Sequence, residues 1–416
     1  MSARVCADAT APVSYADAHA RMLEAYQAGN YATMADRVRS ALALRPDYPP
    51  MLYNLAVAEA LGGHSDAALG LLSRLAAMGL EFPAADDEDL ASLRGLGDFP
   101  RLRAAFAVNS RPTGSARVTF TIDDGHFIPE GLAYDSGREA FLLGSIRSGR
   151  VARIARDGAV SLWSAADEAA GLSAFGMAME PGGDHLVVAY NAAREHAQPS
   201  AAVPELSGIA WLNAADGKLR KFCALDEAEA GAVLGDVFIP MGGTIYVADS
   251  VGGAVYELAR DDCRYSVLVQ AGRLFSPQGM TASADGSQLY IADYRGGIFV
   301  LDIDSGGLSR LAAPENATLY GIDGLYRKGV WLIGVQNGLM PHRIVALRLA
   351  EEGKAIDELR VLAANLPQFD EPAQGAIVGE SFHFIANSHW NRFDGEARLP
   401  PENTLSGPVV LAVPLP

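Results

Sequence analysis

The sequence predicts a mainly β protein, a six-bladed β-propeller with an N-terminal α-helical segment, on three observations. Residues 14–111 are rich in Ala and Leu, with apolar residues at helical spacing and few β-branched side chains. Residues 115–416 change to runs of Val, Ile, Leu, Phe and Tyr cut by Gly and Asp, which is the composition of strands and turns. Within that second stretch a triplet of one variable residue, Gly and an apolar residue returns at intervals of 45, 60, 43, 45 and 51 residues, close to the length of a four-stranded blade.

The 416 residues exceed what one ordinary core organises, so two units are expected, 14–111 and 115–416, joined at Pro112-Thr113-Gly114-Ser115. Half the residues are apolar and a fifth charged, enough apolar surface to bury a core. The balance of 50 acidic against 33 basic residues gives a formal charge of −17 with no basic stripe to offset it. Phosphate backbones and anionic lipid are repelled, so neither nucleic acid nor membrane is expected as a partner. Cys6, Cys223 and Cys263 are odd in number and far apart, and are expected to be buried or incidental thiols rather than a disulfide framework or zinc ligands. Met1 to Ser14 hold no apolar leader core, and no run of about 18 uncharged apolar residues occurs. A cytoplasmic placing is expected from the sequence as it stands, or a periplasmic or secreted one should a leader have been removed.

In the helical stretch, Gly29-Asn30-Tyr31 with its following Ala41 to Pro46 lies over Gly62 with Ala67 and Leu71, the two glycines 33 residues apart. A small residue at the turn lets two antiparallel helices approach, and Pro46 stops the second. The run MLYNLAVAEALGGHSDAALGLLSRL resembles a tetratricopeptide repeat, and ADDEDLASLRGLGDFPRLRAAF reads as a degenerate third unit that caps the pair. Such helices imply a groove for a protein partner, or a brace packed on the propeller.

In the strand stretch the triplets are Glu130-Gly131-Leu132, Phe175-Gly176-Met177, Gly235-Asp236-Val237, Gln278-Gly279-Met280, Asp323-Gly324-Leu325 and Gln374-Gly375-Ala376. The third copy has lost its middle glycine. Blade three reads GDVFIP, MGG, TIYVADS, VGG, AVYELA and YSVLV, strands separated by turns, and blade four repeats the pattern. Six triplets predict six blades, with the early strand Ala116 to Phe120 closing the ring on a last blade that includes Pro408 to Leu411. Since glycine lets inner strands crowd at the axis, the residue before it is expected to face the channel mouth: Glu130, Phe175, Gly235, Gln278, Asp323 and Gln374. The second strand returns antiparallel to the same mouth, which puts Ser145, Asn191, Asp249, Asp293, Asn337 and Asn387 around the rim.

Two carboxylates and a carboxamide from different blades suit a hard cation, calcium or magnesium, better than zinc. The alternative is that Glu130 or Asp323 caps a backbone N–H at a strand start. The histidines His126, His342 and His389 have no Ser or Cys partner in a nucleophile elbow, which argues against a serine triad.

The strings IPEGLAYD at Glu130, SPQGMTASADGSQLYIADY at Gln278 and GIDGLY at Asp323 resemble the senescence marker protein, gluconolactonase and luciferin-regenerating enzyme family over roughly residues 118–415. GDVFIPMGGTIYVADS at Gly235 is a looser match, and strictosidine synthase-like propellers are a more distant resemblance. FDEPAQG and FIANSHWNRFD resemble a bacterial subgroup that joins tetratricopeptide-like helices to this propeller. The resemblance implies a divalent cation held by a Glu, an Asn and an Asp at blade starts, with lactone or phosphoester hydrolysis. Glu130 matches the ligand Glu, and Asp323 matches the ligand Asp, also a general base. Gln278 stands where the family has Asn, keeping the amide oxygen on a longer arm that calcium tolerates better than magnesium. Gly235 stands where the family has a second Asn, leaving a gap for water, Asp236 or substrate.

The expectation is a Ca²⁺-dependent hydrolase of a lactone or ester, with Asp323 and Glu130 catalytic and Glu130, Gln278 and Asp323 as ligands. The small-molecule substrate is expected to touch Phe175, Asp236, Asp249, Asp293, Asn337, Gln374, Asn387 and His389. Trp390 beside His389 either holds a ring-shaped substrate or anchors the loop to Pro408. The alternatives are a non-catalytic binding propeller with a helical adaptor, or a metal-free condensing enzyme with Glu130 as base.

Overall fold

The computed structural model describes residues 14–164, 171–193, 195, 206–226, 231–401 and 404–416. Its contacts divide the chain into two units, Met1–Ser110 with Glu315–Thr318, and Arg111–Pro314 with Leu319–Pro416.

In the first unit α1 (Tyr15–Gln27) pairs with α2 (Tyr31–Leu44), and α3 (Pro49–Leu61) with α4 (Ser65–Ala77). Gly29 at φ +67° and Gly63 at φ +84° turn the chain within each pair, a left-handed conformation that only glycine adopts without a steric cost. Asn30 caps α2 by accepting the Thr33 N–H, and Pro49 opens α3, where its missing N–H is not needed. Most of α3 is buried, because α2, α4 and a 3₁₀ turn (Glu88–Leu93) all pack on it. The Tyr53 hydroxyl donates to Asp87 at 2.6 Å, and α5 (Phe99–Asn109) packs on α4. These pairs fit the helix-turn-helix pattern of the sequence.

The second unit is a six-bladed propeller, six antiparallel sheets whose inner strands are Pro129–Asp135, Ser173–Met179, Leu234–Phe238, Pro277–Ala282, Ile322–Lys328 and Gly375–Val378. Arg117–Thr121 is the outermost strand of blade 6, paired with Val409–Pro414 from the other end of the chain, so the ring closes through its two ends. Thr113–Gly114, in the stretch predicted as a linker, adds a fifth strand to blade 5 opposite Ala364 and Ala363. Facing sheets bury alternating apolar residues: Leu142 and Val151 meet Val188 and Tyr190 between blades 1 and 2, and Ile333 and Val335 meet Phe382 and Phe384 between blades 5 and 6.

The recurring triplet has a structural cause. In five blades the pairing of the inner strand slips there, between Pro129 and Leu132, Ala174 and Met177, Leu234 and Asp236, Pro277 and Met280, and Ile322 and Leu325. A bulge of this kind re-aims a side chain out of the ladder. The glycine is needed for close approach: a Cβ on Gly131 would overlap the Phe175 carbonyl of the next blade, and one on Gly279 would overlap the Leu325 backbone.

The cysteine expectation is corrected. Cys223 forms a disulfide with Cys263. Cys223 lies on the outer strand Leu219–Ala224 of blade 2, and Cys263 in the turn before Arg264–Val269 of blade 3. Forty residues apart in sequence, they stand with Cα atoms 5.1 Å apart because the outer parts of adjacent blades meet. Cys6 and most of the segment read for a leader lie outside the described residues. No helix among the described residues is long and apolar enough to cross a membrane.

Candidate functional site

The re-aimed residues converge. A cavity of about 630 Å³ is lined by Glu130, Phe175, Gly235, Gln278 and Asp323, each at an inner-strand start of blades 1 to 5. Asn337, Glu371 and Trp390 complete the wall on the side of blades 5 and 6, while Ser250, Ser276, Tyr294 and Arg295 complete it on blades 3 and 4.

Glu130 is 9% exposed, and its Oε2 accepts the Trp390 indole N–H at 2.5 Å. Asp323 Oδ2 accepts the Asn337 Nδ2–H at 2.9 Å, and the same Nδ2 donates to the Pro372 carbonyl at 2.8 Å. Asn337 Oδ1 is buried without a hydrogen-bond partner. Gln278 donates from Nε2 to Ser276 Oγ at 3.2 Å. Its Oε1 lies 3.0 Å from where a Cβ on Gly235 would stand, so the long amide leans into the room that the missing side chain leaves.

Other expected contact residues sit elsewhere. Asp236 stands outside the lining, its carboxylate held by the Val237 and Met280 N–H groups. The Asp249 carboxylate accepts the Val233, Val251 and Gly252 N–H groups, and that of Asp293 accepts those of Phe275, Ser276 and Arg295. Asn387 bridges Gly407 and Val409, and His389 packs with Asp370 and the Ser406 carbonyl. Gln374 is buried, also outside the lining. Asp249, Asp293 and Asn387 were expected at the rim as second-strand ends, Gln374 at the mouth as the residue before a glycine, and His389 beside the rim from its motif; the polar groups of the first three and of His389 hold the loops that make the rim, and Gln374 is buried behind it.

Burial, and next the charge of Asp323, pushes Glu130 well above the usual carboxylate range, against the lowering effect of the Trp390 hydrogen bond. Burial likewise raises Asp323, with the Asn337 hydrogen bond opposing and Glu371 adding. Burial takes Asp236 up to about 8, offset by its backbone hydrogen bond from Val237. Glu371 is raised by burial as well, its Oε2 held by the Asn391 N–H at 2.9 Å.

Among the described residues no three His, Cys, Asp or Glu side chains are already gathered as a metal-binding set. The donor chemistry nevertheless fits a hard divalent cation: the buried Glu130 carboxylate, the partly buried Asp323 carboxylate that repels it and the partnerless amide oxygen of Asn337 line one cavity.

Blade periodicity did not single out Glu371, Ser250, Ser276, Tyr294 and Arg295 for the wall, and left Trp390 undecided between substrate and loop. FDEPAQG contains Glu371, at φ +59°, and FIANSHWNRFD contains Trp390; these two strings were the available signal.

No family model matches the chain, and no curated protein matches it. Among solved structures it is similar to a calcium-binding protein, regucalcin, from Agrobacterium tumefaciens, at 13% identity and a TM-score of 0.51, over 73% of this chain and 96% of that one. It is also similar to a gluconolactonase from Xanthomonas campestris (18% identity, TM-score 0.48, 74% and 92% covered). A third similar structure is the PQQ-bound aldose sugar dehydrogenase of Streptomyces coelicolor (13% identity, TM-score 0.47, 73% and 100% covered). At these identities the likeness is one of fold, and one fold hosts many chemistries.

Proposed function

We propose that the chain is a divalent-cation-dependent hydrolase, calcium being the preferred cation, that opens a small lactone or ester in the axial cavity. The observation that carries this reading is the convergence of Glu130 and Asp323, from blades 1 and 5, on one cavity of about 630 Å³ with a carboxamide beside them. Glu130 and Asp323 would hold the cation. When bound, it would supply Lewis acidity toward a carbonyl oxygen.

The chain's own groups divide the remaining work. Asp323, steadied by Asn337, is placed to take the proton of an attacking water. Trp390 holds one oxygen of Glu130 and leaves the other unclaimed by it. The rings of Phe175 and Trp390, 6.1 Å apart, give the substrate an apolar wall that excludes water. On the blade 3 and 4 side Arg295 offers donors that select the substrate, while the Ser250 and Ser276 hydroxyls donate to the Val233 and Ser250 carbonyls. The Cys223–Cys263 disulfide favours a periplasmic or secreted placing over a cytoplasmic one.

The test is a panel of γ- and δ-lactones and simple esters, assayed with Ca²⁺ and with a chelator. Turnover that needs the cation and is lost in Asp323→Asn is expected. A panel without any cation-dependent turnover removes the hydrolase reading and leaves a binding propeller.

A further inference from the structure

We propose that the Asn337 carboxamide oxygen is the third protein ligand of the cation seat, beside the Glu130 and Asp323 carboxylates, and that Gln278 stands outside the seat. This rests on the divalent-cation reading above and names the residue that completes it.

Asn337 follows the second strand of blade 5, Trp331–Gln336, which returns antiparallel to the start of the inner strand that carries Asp323. The two side chains therefore meet at the mouth. The amide orientation is fixed by chemistry, since Nδ2 donates to two oxygens, Asp323 Oδ2 at 2.9 Å and the Pro372 carbonyl at 2.8 Å. Turning the amide over would set an oxygen against both acceptors. Oδ1 is thereby left at the other end of the group, buried, without a partner, on a residue only 8% exposed that lines the cavity. A buried carbonyl oxygen left unmatched costs free energy, and a hard cation would match it together with the lone pairs that Glu130 and Asp323, held by one side-chain donor each, keep in the same cavity.

Gln278 has the opposite character. Its amide nitrogen is spent on Ser276, and its oxygen leans into the space at Gly235 on the blade 3 side. Charge favours Asn337 too: two carboxylates balance a divalent ion, and a neutral amide oxygen adds coordination without a third negative charge.

Calcium titration of the full chain by calorimetry tests this on wild type, Asn337→Leu, Asn337→Asp and Gln278→Leu, with thermal melts in chelator as the folding control. Asn337→Leu is expected to weaken calcium binding tenfold or more, and Gln278→Leu to change it less than threefold. Asn337→Asp keeps an oxygen but loses both N–H donors; its affinity is expected to stay within threefold of wild type or to rise. Loss of binding in Asn337→Asp equal to that in Asn337→Leu would make Asn337 a positioning residue for Asp323 and overturn the ligand assignment. Unchanged binding in Asn337→Leu would mean that Oδ1 meets water only, while the cation reading stands. Should Asn337→Leu not fold, the Asp variant against Gln278→Leu decides: weakening in the first overturns the proposal, and weakening in the second alone returns Gln278 to the seat. A wild type that takes up no calcium removes the underlying reading and this inference together.

Discussion

Four of the carboxylates near the channel mouth stand in two kinds of place, and their partners separate them. Asp249 and Asp293, at the ends of second strands, each accept three backbone N–H groups of the loops around them. Glu130 and Asp323, at the starts of first strands, face the cavity and are held by single side-chain donors, Trp390 and Asn337. A carboxylate surrounded by backbone donors is a structural staple, and one held by a lone side chain at a cavity wall keeps lone pairs for a ligand. The blade repeats the same positions around the ring, yet of the inner-strand starts that line the cavity only those of blades 1 and 5 carry acids, with Glu371 from the loop before the blade 6 inner strand in the same wall.

Removing one acid of each kind separates their roles. Asp323→Asn is expected to lower turnover by a factor of hundreds or more, since general-base assistance alone contributes about 10² to 10⁴. Its melting temperature should hold or rise, because a buried charge that repels Glu130 is removed. Asp249→Ala should do the reverse and lower the unfolding free energy by about 3 kcal/mol through orphaned backbone donors, while the folded fraction keeps its turnover. Equal losses of activity at constant stability in both variants would erase the distinction.

A smaller effect is expected at Trp390, which ties the blade 6 loop to Glu130. Trp390→Phe keeps the ring and loses the indole N–H. Turnover should fall about tenfold, the scale of one hydrogen bond to a charged group, with little change in melting temperature. An unaltered rate would reduce Trp390 to a loop anchor.

The ring was legible in the sequence because a propeller repeats itself: six triplets marked six inner strands, and the bulge in blades 1 to 5 explains why the first residue of those five triplets turns to the axis while Gln374 of blade 6, whose strand pairs without a slip, does not. Residue type at those starts picked out Glu130 and Asp323 as oxygen donors for a hard cation, and the resemblance pointed to the same two. What stayed hidden depends on neighbours that no period reports. Trp390 meets Glu130 across 260 positions, and Cys223 meets Cys263 across 40. Gln336, not Asn337, occupies the repeat position of Asp249 and Asp293, and Asn337 stands one residue further on, level with Ser250 and Tyr294, which also line the cavity; a one-residue offset at the strand end decides which side chain caps backbone and which faces the cavity.

Gly235 and Gln278 sharpen the same point. Sequence alone invites refilling Gly235 with Asn, but a Cβ there would stand 2.9 Å from Ser250 Oγ and 3.0 Å from Gln278 Oε1. Gly235→Asn alone should therefore destabilise by about 1–3 kcal/mol, as overpacking does, and adding Gln278→Asn should recover most of that loss. Denaturant melts of the single and double variants check it; two losses that simply add would show that the positions are independent.

The smallest expected effect lies away from the site, at His383 of blade 6, whose Nδ1 meets Thr119 Oγ1 at 2.9 Å. Burial, helped by Arg117, lowers it to about 4, below the roughly 6.5 of an unfolded chain. The unfolded state therefore takes up a proton first, so stability holds above about pH 6.5 and declines as the pH falls toward 4. His383→Gln should flatten that decline in melts between pH 7 and 4, and an unchanged slope would assign it to other groups.

A single cation seat at the propeller axis between Glu130 and Asp323 is read most directly by terbium luminescence. Terbium takes calcium sites and emits when a nearby tryptophan is excited, and Trp390 touches Glu130. Sensitised emission is expected from wild type, displaced by excess calcium, abolished in Asp323→Asn and strongly reduced in Trp390→Phe. Emission that survives both substitutions, or none at all from wild type, would contradict it.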